Sequence, residues 1–191
     1  VQSTDLMVDH LRHPKAPVRD AALSALVKLH GNKAQHLAIR MVRDESPEVA
    51  RRAIRMLTRL NCRHPAYILR LLEVLGAVPA ERDPLSPDMP LQITAVAGLT
   101  AIGNIGMGEL GTVEGTLVAH LNQEGGLSQL LNRGAIDEED DKVRIAVCEA
   151  LAQIGGEEAL ERLSRYNREA SPVVRERMKR SWTRLKNRLA G

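Results

Sequence analysis

The sequence contains no phenylalanine, two tyrosines and a single tryptophan in 191 residues. Any core must therefore be aliphatic, and what the chain supplies is mainly alanine and leucine, both strong helix formers. Runs of β-branched residues long enough for strands are scarce, which argues against a sheet-based fold. Two cysteines, Cys62 and Cys148, make no disulfide framework and fit a reducing compartment, the cytoplasm. No run approaches the roughly 18 apolar residues of a membrane-spanning helix, and no secretory leader is visible. The net charge is only +3, so the chain as a whole is not a polycation. It opens on Val1 rather than methionine, as expected of a processed product or a domain of a longer protein.

What is present is a recurring amphipathic pattern. Asp141–Gly156 reads D-K-V-R-I-A-V-C-E-A-L-A-Q-I-G-G. Val143, Ala146, Val147, Ala150, Leu151 and Ile154 recur at helical spacing, Asp141 is suited to an N-cap, and two glycines end the segment. Four relatives of this stretch start at Val18, Val49, Leu91 and Val174, so that successive starts lie 31, 42, 52 and 31 residues apart. Shorter amphipathic segments precede each one: Asp5–Arg12, Lys33–Val42, Pro65–Leu75, Val113–Leu121 and Glu157–Tyr166. The unit is thus helix, turn, helix, with repeats at roughly 3–31, 32–61, 64–103, 109–155 and 156–190. Ser46-Pro47 and Ser171-Pro172 take equivalent places as N-cap serine and first-turn proline of a second helix. Insertions near 78–90, holding Pro79, Pro84, Pro87 and Pro90, and near 123–140, with a possible turn of helix at Leu127–Leu131, are expected to be loops.

The pattern D-K-V-R-I-A-V-C-E-A-L-A-Q-I-G-G-E-E-A-L-E-R-L over Asp141–Leu163, echoed by P-V-R-D-A-A-L-S-A-L-V-K-L-H-G over Pro17–Gly31, resembles the HEAT-repeat family. The likeness is to the short bacterial form named after phycobilin-lyase repeats. The third repeat departs most, with Leu91-Gln92 where the others carry Val-Arg. The resemblance implies an all-α fold, a right-handed α-solenoid of about five helix pairs in one domain. It also implies that Arg19, Arg144 and Arg175, at the starts of second helices, form a ladder with acids of neighbouring repeats. Such repeats serve many tasks, so the likeness speaks to architecture rather than activity.

Catalytic and cofactor signatures are weak. Gly106-Met-Gly108-Glu-Leu-Gly111 has the spacing of a dinucleotide-binding turn, but it follows a helical segment rather than a strand. Of the six histidines only His10 and His13 share a helical face, and the His-Glu dipeptides of HEAT-like iron hydroxylases are missing. No nucleophile elbow or triad is discernible. The chain is therefore read as non-catalytic, without metal or cofactor.

Charge is where the repeats differ. Arg51, Arg52, Arg55 and Arg59 share one face of the second helix of repeat two, opposite Val49, Ala53, Met56, Leu57 and Leu60. The last helix carries Val174, Met178, Ser181, Trp182, Leu185 and Leu189 as a core stripe, surrounded by cations that include Arg177, Arg180 and Arg184. From Leu160 to Gly191 there are ten Lys/Arg against three Glu. The acidic run Asp137, Glu138, Glu139, Asp140 and Asp141 is expected to be a solvated loop whose last residue caps a helix. The candidate partner-binding set is Arg51, Arg52, Arg55, Arg59, Arg177, Arg180 and Arg184 with Asp137, Glu138, Glu139 and Asp140. Three readings follow: a protein-interaction scaffold, phosphate-backbone contact with nucleic acid, or an accessory protein for a pigment enzyme.

Overall fold

The computed structural model describes residues 2–76, 89–123, 138–169 and 171–191. These residues form ten α-helices and no named strand. No described helix is long and apolar enough to cross a membrane. The chain falls into two compact units, Val1–Ile102 and Gly103–Gly191; the expected insertions at 78–90 and 123–140 lie largely outside the described residues.

The first unit comprises α1 (Gln2–His10), α2 (Ala16–His30), α3 (Gln35–Met41), α4 (Pro47–Arg59), α5 (Pro65–Leu75) and α6 (Met89–Ile102), with a 3-10 turn at Gly31–Ala34. Each helix packs mainly on those one or two places along the chain: α2 on α3 and α4, α3 on α4 and α5, and α6 on α4 and α5. Second helices thus lie against second helices and first against first. Leu23, Leu26, Ala50, Ala53, Ile54, Leu57, Leu71, Leu72 and Leu99 are fully buried between them. The α5 span coincides with the expected Pro65–Leu75. Proline at its first position lacks only a donor that would be unpaired anyway, and Gly76 closes it in the left-handed region at φ 76°.

One aromatic ties three helices together. The Tyr67 hydroxyl of α5 donates to the Ile54 carbonyl of α4 (3.2 Å) and lies 3.1 Å from Thr58 Oγ1. Burial pushes this phenol up to about 12. On its other side α6 comes so close that a Cβ on Gly98 would sit 3.0 Å from Tyr67 Oη and 3.1 Å from a Leu71 methyl.

The second unit comprises α7 (Val113–Gln123), α8 (Glu138–Ile154), α9 (Glu157–Ser164) and α10 (Pro172–Ala190), with 3-10 turns at Gly108–Leu110 and Arg165–Arg168. The packing rule is the same: α7 on α8 and α9, α10 on α8 and α9. Val113, Leu117, Leu121, Val147, Leu151, Leu163, Val174, Met178 and Leu185 form its core.

Several expected boundaries move. The first helix is Gln2–His10 rather than Asp5–Arg12. Pro90 belongs to the first turn of α6 rather than to a loop, where its fixed φ suits the helix. The α8 helix begins at Glu138, so Asp141 lies inside it and is not its N-cap; an acidic run is favourable in a first turn, where the helix dipole is positive. The glycine-rich segment is a turn: Met107 N donates to the Gly111 carbonyl (2.7 Å), with Gly108 and Gly111 at φ 63° and 78°. No strand precedes it among the described residues, so the surroundings of a dinucleotide site are missing.

Candidate functional site

The α4 sequence P-E-V-A-R-R-A-I-R-M-L-T-R divides cleanly. Val49, Ala50, Ala53, Ile54 and Leu57 are buried, which turns Arg52, Arg55 and Arg59 outward and leaves Arg51 half-buried. Ser46 holds the N-cap place with extended backbone and Pro47 the next, as expected, but the serine side chain makes no capping bond. Instead its backbone N–H donates to Asp44 Oδ1 (2.8 Å). Arg52 Nε lies 2.5 Å from Asp20 Oδ1 on α2, close enough for an ion pair but not aligned as a hydrogen bond. Arg55 and Arg59 have no ion-pair partner among the described residues. Arg51, Arg52 and Arg55 flank a groove of about 510 Å³ whose other walls are Ala16, Pro17, Asp20, Glu48, Val49 and Pro90.

The α10 cations are more committed. Arg177 pairs with Glu149 on α8 (2.6 Å), Arg180 with Glu176 one turn back (2.9 Å), and Arg188 donates to the Gly155 carbonyl. Arg184 is exposed and has no ion-pair partner among the described residues. Two stripe residues depart from expectation. Trp182 is only half-buried, tilted against Tyr166 with ring centroids 6.3 Å apart and Lys186 Nζ 5.0 Å from its ring. Leu189 is 44% exposed. Trp182 lies at the edge of the stripe beside the buried Ser181, and Leu189 lies in the last turn of α10, beyond the buried Leu185. The α4 and α10 faces belong to different units. Of the acidic run, Asp137 lies outside the described residues, and Glu138, Glu139 and Asp140 form the first turn of α8. Asp141 accepts a hydrogen bond from Ser171 Oγ (2.5 Å).

The repeating arginines are structural. Arg19 Nη2 and Nε donate to the two Asp44 oxygens at 2.7 and 2.8 Å, and its Nη1 donates to the carbonyls of His13 and Pro14. Arg144 grips Glu169 in the same bidentate way, at 2.9 and 2.5 Å. Arg175 donates from Nε and Nη2 to the Glu169 carbonyl. In both cases the acid stands 25 residues after its arginine and two before the serine of an acid-x-Ser-Pro turn, whose serine N–H it accepts. The hydrogen bonds it donates to Asp44 hold the Arg19 guanidinium above its usual range, outweighing burial. For Glu169 burial pushes the carboxyl up, but the Arg144 hydrogen bonds and charge prevail and hold it below the usual carboxylate value.

Sequence reasoning missed the acceptors Asp44 and Glu169, although the recurring acid-x-Ser-Pro string marks both. It also missed Glu114. This buried α7 carboxylate accepts the backbone N–H groups of Gly156 (2.6 Å) and Ala159 (2.8 Å), capping α9 from a distance, while Asn104 Nδ2 donates to its other oxygen (2.7 Å). Nothing in the local sequence flags a cap supplied from 42 residues away.

Other chemical candidates are quiet. His10 and His13 stack, with centroids 6.3 Å apart. No group of three or more His, Cys, Asp or Glu able to hold a metal occurs among the described residues. Burial pushes the Cys148 thiol up to about 12, more than the nearby Arg144 and Arg162 offset, so it is no thiolate at neutral pH. Compared with models of protein families and with curated proteins, the chain matches none.

Proposed function

We propose that the chain is a right-handed α-solenoid of about five HEAT-like helix pairs and works as a non-catalytic protein-binding module, taking an acidic partner along the outward face of α4. Support for the architecture is the packing rule repeated in both units, first helix on first and second on second, with an arginine clasping an acid 25 residues on. Among the described residues each helix packs mainly on its neighbours along the chain, as in stacked repeats. The observation that carries the function is the α4 face. Arg55 and Arg59 project from a rigid helix with no ion-pair partner among the described residues, beside a groove edged by Arg51 and Arg52. An exposed guanidinium with no internal carboxylate is available to a partner's carboxylates, and its planar donor fork suits them. On α10, by contrast, Arg177, Arg180 and Arg188 are held by Glu149, Glu176 and the Gly155 carbonyl.

The mechanism is geometric. A helix fixed on its buried face presents a row of donors, so that binding orders few side chains and the charges steer the encounter. A labelled poly-glutamate peptide should bind the intact protein, and Arg55→Glu/Arg59→Glu should weaken it at least about tenfold while leaving the helical signal unchanged. Peptide binding that is indifferent to this double variant would sink the reading. So would duplex DNA binding in preference to the peptide with a steep loss on adding salt, the signature of a phosphate contact.

A further inference from the structure

A second cavity lies elsewhere in the first unit, where the turn after α1 meets α3 and the turn before α4. Its volume is about 350 Å³, at the small end of the roughly 300–1,000 Å³ typical of small-molecule sites. Leu11 and Met41 are buried in its floor, and Val8 and Leu37 are half-buried beside them. Four arginines line it, Arg12, Arg19, Arg40 and Arg43, against two acids, Asp44 and Glu45.

How those charges are spent decides what the cavity can hold. Asp44 and Glu45 are both answered by Arg19, at 2.7 and 3.0 Å. Arg43 is held by Glu73 at 2.6 Å. Arg12 and Arg40 remain: both are exposed, both line the cavity, and neither has an ion-pair partner among the described residues. Four lining arginines thus stand against two lining acids, and the Arg12 and Arg40 guanidinium groups edge a pocket whose floor is apolar and whose walls are polar. The back wall is rigid, because Arg19 is buried and fixed by five acceptors: both Asp44 oxygens, Glu45 and the carbonyls of His13 and Pro14.

We propose that this cavity binds a small amphipathic anion, a carboxylate carried on an acyl-sized apolar body. The apolar end lies over Leu11 and Met41, and the carboxylate meets the donor forks of Arg12 and Arg40, which match its geometry. A neutral molecule of the same length would leave the arginines unanswered, and a small inorganic anion would leave the floor wet. The site does not depend on the α4 reading.

Octanoate is the probe, with octan-1-ol as its uncharged counterpart and chloride as the bare anion. In protein carrying labelled methionine methyl groups, with Met41→Leu used to assign the signal, octanoate should shift the Met41 resonance saturably. Octan-1-ol should bind at least about tenfold more weakly, and chloride should leave the signal in place. Arg12→Glu/Arg40→Glu, both at exposed positions, should weaken octanoate at least about tenfold with an unchanged melting temperature. The proposal is overturned if octanoate leaves Met41 unmoved, if octan-1-ol binds as tightly, or if the folded double variant binds octanoate like the original. Should that variant fail to fold, Arg40→Gln alone is expected to weaken octanoate severalfold, and no change there overturns the proposal equally.

Discussion

Arg144→Ala is expected to destabilise the second unit by about 3–5 kcal/mol, the range for removing one partner of a buried ion pair. The reason lies less in what Arg144 gives than in what it leaves behind. Glu169 is buried, its two oxygens are both engaged by the guanidinium, and without it the carboxylate keeps the long Ser171 N–H contact (3.4 Å) but loses both charged donors. A denaturant titration followed by circular dichroism reads the loss directly. Replacing both partners, Arg144→Met with Glu169→Leu, should return most of it, because the two desolvation costs vanish together. A single variant within about 1 kcal/mol of the original would mean that the clasp is incidental. The pH dependence follows from the same pair. Glu169 titrates below its ordinary value, so its contribution is present in full above the unfolded carboxyl's value near 4.5 and is lost as pH falls through the lower folded value. Acid should therefore erode the original protein more steeply than the Met/Leu double variant.

Glu114→Ala should cost about 3 kcal/mol. Its carboxylate receives Gly156 N, Ala159 N and Asn104 Nδ2, all on the second unit, and truncation orphans two backbone donors at the start of α9. Each buried donor left without a partner costs roughly 1–3 kcal/mol. Glu114→Gln keeps an acceptor oxygen and should cost only about 1 kcal/mol. Hydrogen exchange at Gly156 and Ala159 localises the effect: their amides should exchange faster in the alanine variant, while Val174, capped by Ser171, should be unchanged.

The elements were legible where punctuation and periodicity agreed. Pro65 and Gly76 bracket α5, and the alternation of α4 shows its arginine face without any coordinates. Legibility failed where one residue type suits two settings. The acids before Val143 read equally as a solvated loop or as a favourable first turn, and the helix takes them from Glu138. Trp182 sits one residue from the buried Ser181, and at a stripe's edge the 3-4 spacing does not say which neighbour faces inward. The arginines Arg19 and Arg144 were legible as a ladder, but their acceptors were not, because pairing over 25 residues is a property of the packed repeat rather than of either segment. What each arginine does depends on whether an acid lies within reach, and only the fold reveals that. It separates Arg144, which is structural, from Arg55 and Arg59, which have no ion-pair partner among the described residues.

The docking face of α4 is tested most directly by photo-crosslinking in the living cell. A photoreactive amino acid replaces Glu48, which is exposed on the first turn of α4 beside the groove, and in a control it replaces Val173, exposed on α10. The account predicts a discrete protein adduct from position 48 that is absent from position 173, with acidic side chains at the crosslinked segment, and its loss when Arg55→Glu/Arg59→Glu is added. Nucleic acid captured at position 48, or the same adducts from both positions, would contradict it.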